Sequence, residues 1–200
     1  KLKKILVIYM SKPKVSICVP IYDGMKNKEF FLWRLVSSLT EQTFKDWELI
    51  ITKDGKMAEN TNSGIKRARG ELVKILYLDD YFAHENALKD IVDNFKKSWL
   101  IVGTSTNPTP YWTEDIETGN NKLGSPSALT ILNDVPILFD ERMSWMLDCD
   151  YYKRMYELWG EPDILPGINV NLGIGDHQMT HILTDEQKLA EYELIKQKYA

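Results

Sequence analysis

The feature that most limits how this chain can fold is an alternation of short apolar runs and amphipathic stretches, sustained from Val15 to Val102. Val15-Ser-Ile-Cys-Val19, closed by Pro20, is short and β-rich, and predicts a buried strand. Phe31, Leu32, Leu35, Val36 and Leu39 then recur at helical spacing. Residues 47–52 predict a second strand, ended by the turn signal Lys53-Asp54-Gly55. Residues 60–69 predict a helix with Gly70 as its C-terminal cap. Residues 72–78 predict a third strand that runs straight into Asp79-Asp80. Leu88, Ile91, Val92 and Phe95 mark another amphipathic helix, and residues 99–102 a fourth strand. Strands and helices taking turns imply an α/β fold, with a mostly parallel sheet flanked by helices.

After residue 103 the rhythm breaks. Residues 104–127 are rich in Thr, Asn, Gly and Pro and predict a long loop, of a kind often functional. A strand is expected at 128–132, a helix at 147–159 capped by Gly160, and a strand at 168–174. Thr184-Asp-Glu-Gln187 is a capping box that opens a last helix, running to Tyr199. The expected plan is one compact domain: a leader or edge strand at 1–12, a regular half at 13–103 and a less regular half at 104–200. Two hundred residues suit this plan and can bury a sizeable core.

The composition excludes several classes. With 44% hydrophobic and 27% charged residues the chain is an ordinary globular sequence. A net charge of −4 argues against a nucleic-acid binder. An anionic substrate stays open, because a metal ion can neutralise phosphates without a basic surface. Cys18 and Cys149 form neither a disulfide framework nor a zinc spacing, so a reducing setting is expected, cytoplasmic or with a peripheral membrane association. No run approaches the ~20 apolar residues of a transmembrane segment. Lys1-Leu-Lys-Lys4 and the short apolar run after it lack the cleavage site of a signal peptide.

Open α/β sheets bind ligands at the carboxyl ends of their strands. Asp54 and Asp79-Asp80 both lie just past predicted strand ends, so two acidic sites should open on one edge. Adjacent carboxylates repel unless solvated or bound to a cation. Their oxygens suit Mg²⁺ or Mn²⁺, which can bridge a diphosphate; the plainer reading is a strand-end turn with solvated acids. Asp54 either makes a turn or hydrogen-bonds a base or ribose. Asp148 and Asp150 are either helix-start residues or one of them is a general base. Two positions apart, they do not share a helix face. His177 and His181 could share a metal on a helix, although Gly173 and Gly175 argue for a loop. Trp112 and Trp145 pack in the core or stack on sugar rings.

In their order, these residues resemble glycosyltransferase family 2, with its GT-A fold. Val15-Ser-Ile-Cys-Val-Pro20-Ile-Tyr-Asp23 is similar to the family's opening strand and loop, with Asp23 in place of an Asn. Residues 48–55 resemble its second strand, whose Asp-Gly pair contacts the base. Asn62-Ser-Gly64 and Ala68-Arg-Gly70 match its Asn-x-Gly and Ala-x-Gly positions. Asp79-Asp80 falls at the metal motif, with Tyr77 in place of a first Asp. Gly124-Ser-Pro126-Ser127-Ala128 resembles the segment shaping the donor-sugar and acceptor pocket. Leu147-Asp148, six residues before Arg154, resembles the region of the catalytic base, with Leu147 replacing a Glu. Gly175-Asp-His177-Gln-Met-Thr180 resembles the loop that closes over the diphosphate. The family usually has a further helix and strand between Asp54 and Asn62, where this chain has seven residues.

The resemblance implies a Rossmann-like GT-A domain, with a nucleotide-sugar half at 13–103 and an acceptor-side half at 104–200. It implies inverting, metal-assisted transfer from a nucleoside-diphosphate sugar, a UDP-sugar first, to a glycan or other hydroxyl acceptor. Asp148 is favoured as base over Asp150. Pro20, Ile21, Tyr22, Asp23 and Asp54 would hold the nucleoside. Gly124, Ser125, Pro126 and His177 would shape the pocket. Mn²⁺ or Mg²⁺ would be held by Asp80, with Asp79 supporting it or holding the ribose, and with His177 as a further ligand. Two other readings are an inactive nucleotide- or sugar-binding module and a nucleotidyltransferase. The second lacks its glycine-rich basic loop after the first strand.

Overall fold

The computed structural model describes residues 12–22, 24–134 and 137–200. Asp23 and the leader at 1–11 lie outside them. In chain order the strands are β1 (Val15–Pro20), β2 (Trp47–Thr52), β3 (Leu72–Ile75), β4 (Tyr81–Phe82), β5 (Trp99–Thr104), β6 (Leu129–Leu132) and β7 (Asp163–Asn171). The helices are α1 (Lys28–Thr40), α2 (Met57–Arg67), α3 (Ala87–Asn94), α4 (Leu147–Trp159), α5 (Met179–Ile182) and α6 (Asp185–Lys198).

The strands form one sheet in the order β2-β1-β3-β6-β5-β7-β4. Parallel pairing holds for β2-β1-β3, where single helices connect successive strands, and returns between β5 and β7. β6 enters between β3 and β5 antiparallel to both, and β4 pairs antiparallel with β7. The sheet is therefore mixed beyond β3, and it draws strands from both halves of the chain. β1, β3 and β5 are apolar because both their faces are covered, and every residue of the three is buried.

The link from β2 to β3 is one helix. α2 starts at Met57, earlier than its apolar spacing suggests, and Glu59 accepts the Lys56 N–H at 2.7 Å. It ends at Arg67, with Ala68 already extended. Gly70 is not the cap. It lies where the β1 backbone at Val15 and Ser16 leaves no room for a Cβ, and its N–H donates to Ser16 Oγ at 2.7 Å. β3 stops at Ile75, three residues short of the expected end. β7 begins at Asp163 rather than 168, and its pairing with β5 shifts register between Val102 and Thr104.

Candidate functional site

The carboxyl ends of β1 and β2 lie side by side, and one buried amide joins the loops that leave them. Asn60 Nδ2 donates to the Ile21 carbonyl at 2.9 Å, and Asn60 Oδ1 accepts the Asp54 N–H at 3.0 Å. Ile21 N–H also donates to the Thr52 carbonyl at 2.8 Å. Pro20 and Ile21 are buried, so they shape the edge through backbone, while Tyr22 is exposed. The half-exposed Asp54 carboxylate accepts from Ser63 Oγ at 2.5 Å and Arg67 Nη2 at 2.6 Å.

The two carboxylates past β3 point to different environments. Asp80 is 4% exposed; its Oδ1 accepts the Gly173 N–H at 2.8 Å, and the Ser127 hydroxyl also bonds it. Burial, reinforced by the charge of Asp79, pushes its carboxyl well above the usual range. Beneath it lies Lys74, a fully buried lysine in the middle of β3, whose Nζ donates to the carbonyls of Ser127 and Leu129. Burial lowers that ammonium to about 7, against the favourable charge of Asp80.

Asp79 faces outward. Its Oδ2 lies 2.8 Å from His177 Nε2, and both side chains are about one-fifth exposed, at 17% and 21%. α1 supports the pair from one side. Arg34 Nη2 donates to the Asp79 carbonyl at 2.5 Å, with its guanidinium 4.4 Å from the centre of the Tyr81 ring. Phe31, one turn earlier, packs its ring 5.1 Å from that of His177. On the other side a Cβ at Gly173 would collide with the Asp79 backbone, so only glycine lets this chain pass so close. The carboxylate oxygen suits Mg²⁺ or Mn²⁺ and a neutral imidazole nitrogen is a general metal donor, so this pair offers a divalent cation two donors. Among the described residues no three His, Cys, Asp or Glu side chains cluster as a metal cage. The Asp80 carboxylate is engaged by Gly173 and Ser127, whereas that of Asp79 is engaged by His177 and is the more exposed of the two. His181 does not join the pair: it is exposed on α5, while His177 lies ahead of that helix.

Asp148 stands in the first turn of α4 on a cleft of 430 Å³, which it lines with Thr118, Trp145, Met146, Thr180 and Tyr192. Its Oδ1 accepts the Cys149 N–H and its Oδ2 the Asn121 amide, each at 2.9 Å. Burial raises its carboxyl to about 6, which these hydrogen bonds oppose. Tyr77 feels the charges of Asp148, Asp80 and Asp79, so the three carboxylates share one neighbourhood. Asp150 has no free face. It is fully buried against Arg154 Nη2 at 2.7 Å, Lys198 Nζ at 2.6 Å and the Tyr199 hydroxyl at 2.8 Å. Its contacts fasten the end of α6 to α4. Glu191 of α6 also accepts the N–H groups of Ser144, Trp145 and Met146 at 2.8, 2.7 and 3.0 Å, just ahead of α4.

Gly124 takes φ +99°, which suits glycine, and opens the segment through Ser125 to the 3-10 turn Pro126–Ala128. The Tyr152 hydroxyl donates to the Ser125 carbonyl at 3.0 Å, and Tyr77 N–H donates to Ser127 Oγ at 2.8 Å. Of the two tryptophans, Trp112 is committed to a stack with Tyr156, ring centres 4.2 Å apart, whereas Trp145 lines the cleft. Sequence reasoning missed Asn121, Arg34, Lys74 and Glu191. Only Lys74 left a signal, as a charge inside the apolar run Leu72-Val-Lys-Ile75.

Residues 16–102 match the family model for glycosyl transferase family 2, which bears out the resemblance over that stretch. No curated protein matches the chain. Among solved structures it is similar to S. aureus TarS 1–349, at 19% identity and TM-score 0.66, over 91% of this chain and 64% of that one. TarS 1–349 in complex with UDP-GlcNAc gives 18% identity and TM-score 0.61, over 91% and 65%. A third is the mannosyltransferase PcManGT from Pyrobaculum calidifontis, in complex with GDP-Man and Mn²⁺. It gives 12% identity and TM-score 0.58, over 83% and 58%. The chain thus spans just under two thirds of TarS 1–349, and its fold is of the GT-A glycosyltransferase type.

Proposed function

We propose that this chain, with a family 2 match over residues 16–102, is a glycosyltransferase. It moves a sugar from a nucleoside-diphosphate sugar to an acceptor hydroxyl, with inversion at the anomeric carbon. One observation carries the reading. The short segment that brings His177 to Asp79 also places Thr180 on the wall of the Asp148 cleft. A donor-diphosphate position and a base position therefore meet across three residues of chain.

In the proposed reaction the acceptor oxygen forms a bond to the anomeric carbon as the bond to the diphosphate oxygen breaks. The electron pair leaves with the diphosphate, and the hydroxyl proton passes to the Asp148 carboxylate. A carboxyl near 6 is ionised at neutral pH yet still basic enough to accept that proton. When bound, Mn²⁺ or Mg²⁺ at Asp79 and His177 supplies positive charge for the diphosphate. Tyr22 and Asp54 border the nucleoside, a UDP-sugar first, and the Gly124 to Ser127 segment borders the sugar. The setting proposed is cytoplasmic, and among the described residues no helix is long and apolar enough to cross a membrane.

A thermal-shift screen of nucleotide sugars with and without Mn²⁺ tests the donor site, because a ligand that binds only the folded form raises its stability. At least one should stabilise the protein in a Mn²⁺-dependent way and be slowly hydrolysed. No stabilisation by any donor defeats the reading. Binding without hydrolysis or transfer points instead to a binding module.

A further inference from the structure

We propose that Asn121 is the positioning residue of the base, fixing the Asp148 carboxylate against the segment that borders the donor sugar. The inference rests on Asp148 as base. Asn121 spends its whole side-chain amide on these two tasks. Its Oδ1 accepts the N–H groups of Leu123 at 2.8 Å and Gly124 at 3.0 Å. That fixes which way the amide faces, so Nδ2 is the atom turned to Asp148 Oδ2 at 2.9 Å and to the Gly124 carbonyl at 3.0 Å.

From Gly124 the chain runs three residues to Ser127, whose hydroxyl accepts the Tyr77 N–H and also bonds Asp80. Asn121 therefore ties the base to the segment that bonds Tyr77 and Asp80. Its contact matters because it reaches the carboxylate from a distant stretch of chain, whereas the other hydrogen bonds that favour the charged form come from Asp148 and Cys149 themselves. Among the described residues, the titratable groups around it are the Cys149 thiol, the hydroxyls of Tyr77 and Tyr152, Tyr192 on the cleft wall, and Asp79 and Asp80 beyond Tyr77, and none of these is a cation. The Cys149 N–H, the N–H of Asp148 itself, the Cys149 thiol and the Asn121 amide favour its ionised form, in that order.

Asn121→Asp separates the two tasks. It keeps an oxygen for the Leu123 and Gly124 N–H groups, and replaces the donor facing Asp148 with a second acceptor. Two measurements are read together: the titration midpoint of the Asp148 carboxyl carbon by NMR, assigned by its loss in Asp148→Asn, and the acid limb of kcat/KM. Both should move up by about one pH unit or more, with donor-nucleotide affinity within about twofold of the parent. Asn121→Ser, which keeps a small donor, should lie between the two. If Asn121→Asp is poorly folded, a smaller upward shift in Asn121→Ser carries the test. An unmoved NMR midpoint in a folded variant overturns the positioning role. A moved midpoint with an unmoved acid limb overturns Asp148 as base, and with it the part of Asn121 in catalysis.

Discussion

In residues 13–103 the site side chains stand where strands stop: Tyr22 after β1, Asp54 after β2, Asp79 shortly after β3. In residues 104–200 the corresponding side chains are fixed by single groups reaching across long stretches of chain. Asn121 holds Asp148, and Glu191 holds the backbone ahead of α4. The first half is thus positioned by pairing that many residues share. The second half depends on a few polar contacts between distant residues. Single substitutions there should have sharp and separable effects, while those on the donor edge should be blunted.

The largest effect expected is on rate. Asp148→Asn should lower transfer by about 10²–10⁴-fold and leave Mn²⁺-dependent donor binding intact. Loss of donor binding as well would show that the two halves are not separable. Asp150→Ala should act on stability instead, because it strands Arg154 and Lys198 against α4. A loss of about 3–5 kcal/mol is expected from denaturant melts, with turnover per folded molecule near normal.

A third test reverses the usual sign. Asp148 is raised from 3.8 to about 6 by burial, so its ionisation weakens the fold. The stability it contributes is complete below its unfolded value near 3.8 and is lost as pH rises through about 6. Asp148→Asn should therefore be more stable than the parent at pH 8, by about 2–3 kcal/mol at most, with the gap closing as the pH falls towards 4. An equal gap at all pH values would break the account. Smaller again, His177→Ala should weaken Mn²⁺ affinity by about 10–100-fold, read by titration calorimetry, with little change in melting. Least of all, Asp54→Ala should shift stability by under about 1 kcal/mol, since its pair with Arg67 is half exposed. Nucleotide affinity, measured alongside, shows whether Asp54 touches the nucleoside.

The same contrast explains what could be read from the sequence. Short apolar runs mark β1, β2 and β5, and helical apolar spacing marks α1 and α3, because burial in or against the sheet demands them. The acidic strand ends follow from that frame, and the order of the motifs pointed to the family. Less was visible where neighbours far along the chain decide the outcome. β4 is two residues long and exists only through pairing with β7. β6 looks like any apolar strand, and its antiparallel insertion is invisible locally. Asn121 lies in a Gly- and Asn-rich stretch that any turn could use. Asp79 and Asp80 are identical in type, and only Gly173, Ser127 and His177 give them different duties.

The turn carrying His177 and Thr180 has a mechanical consequence. Three residues apart, they cannot move independently by much. A displacement that parts His177 from Asp79 also shifts the wall of the cleft beside Asp148. On the proposed function, seating of the donor and the width of the gap offered to the acceptor would be geared together through a single stretch of backbone.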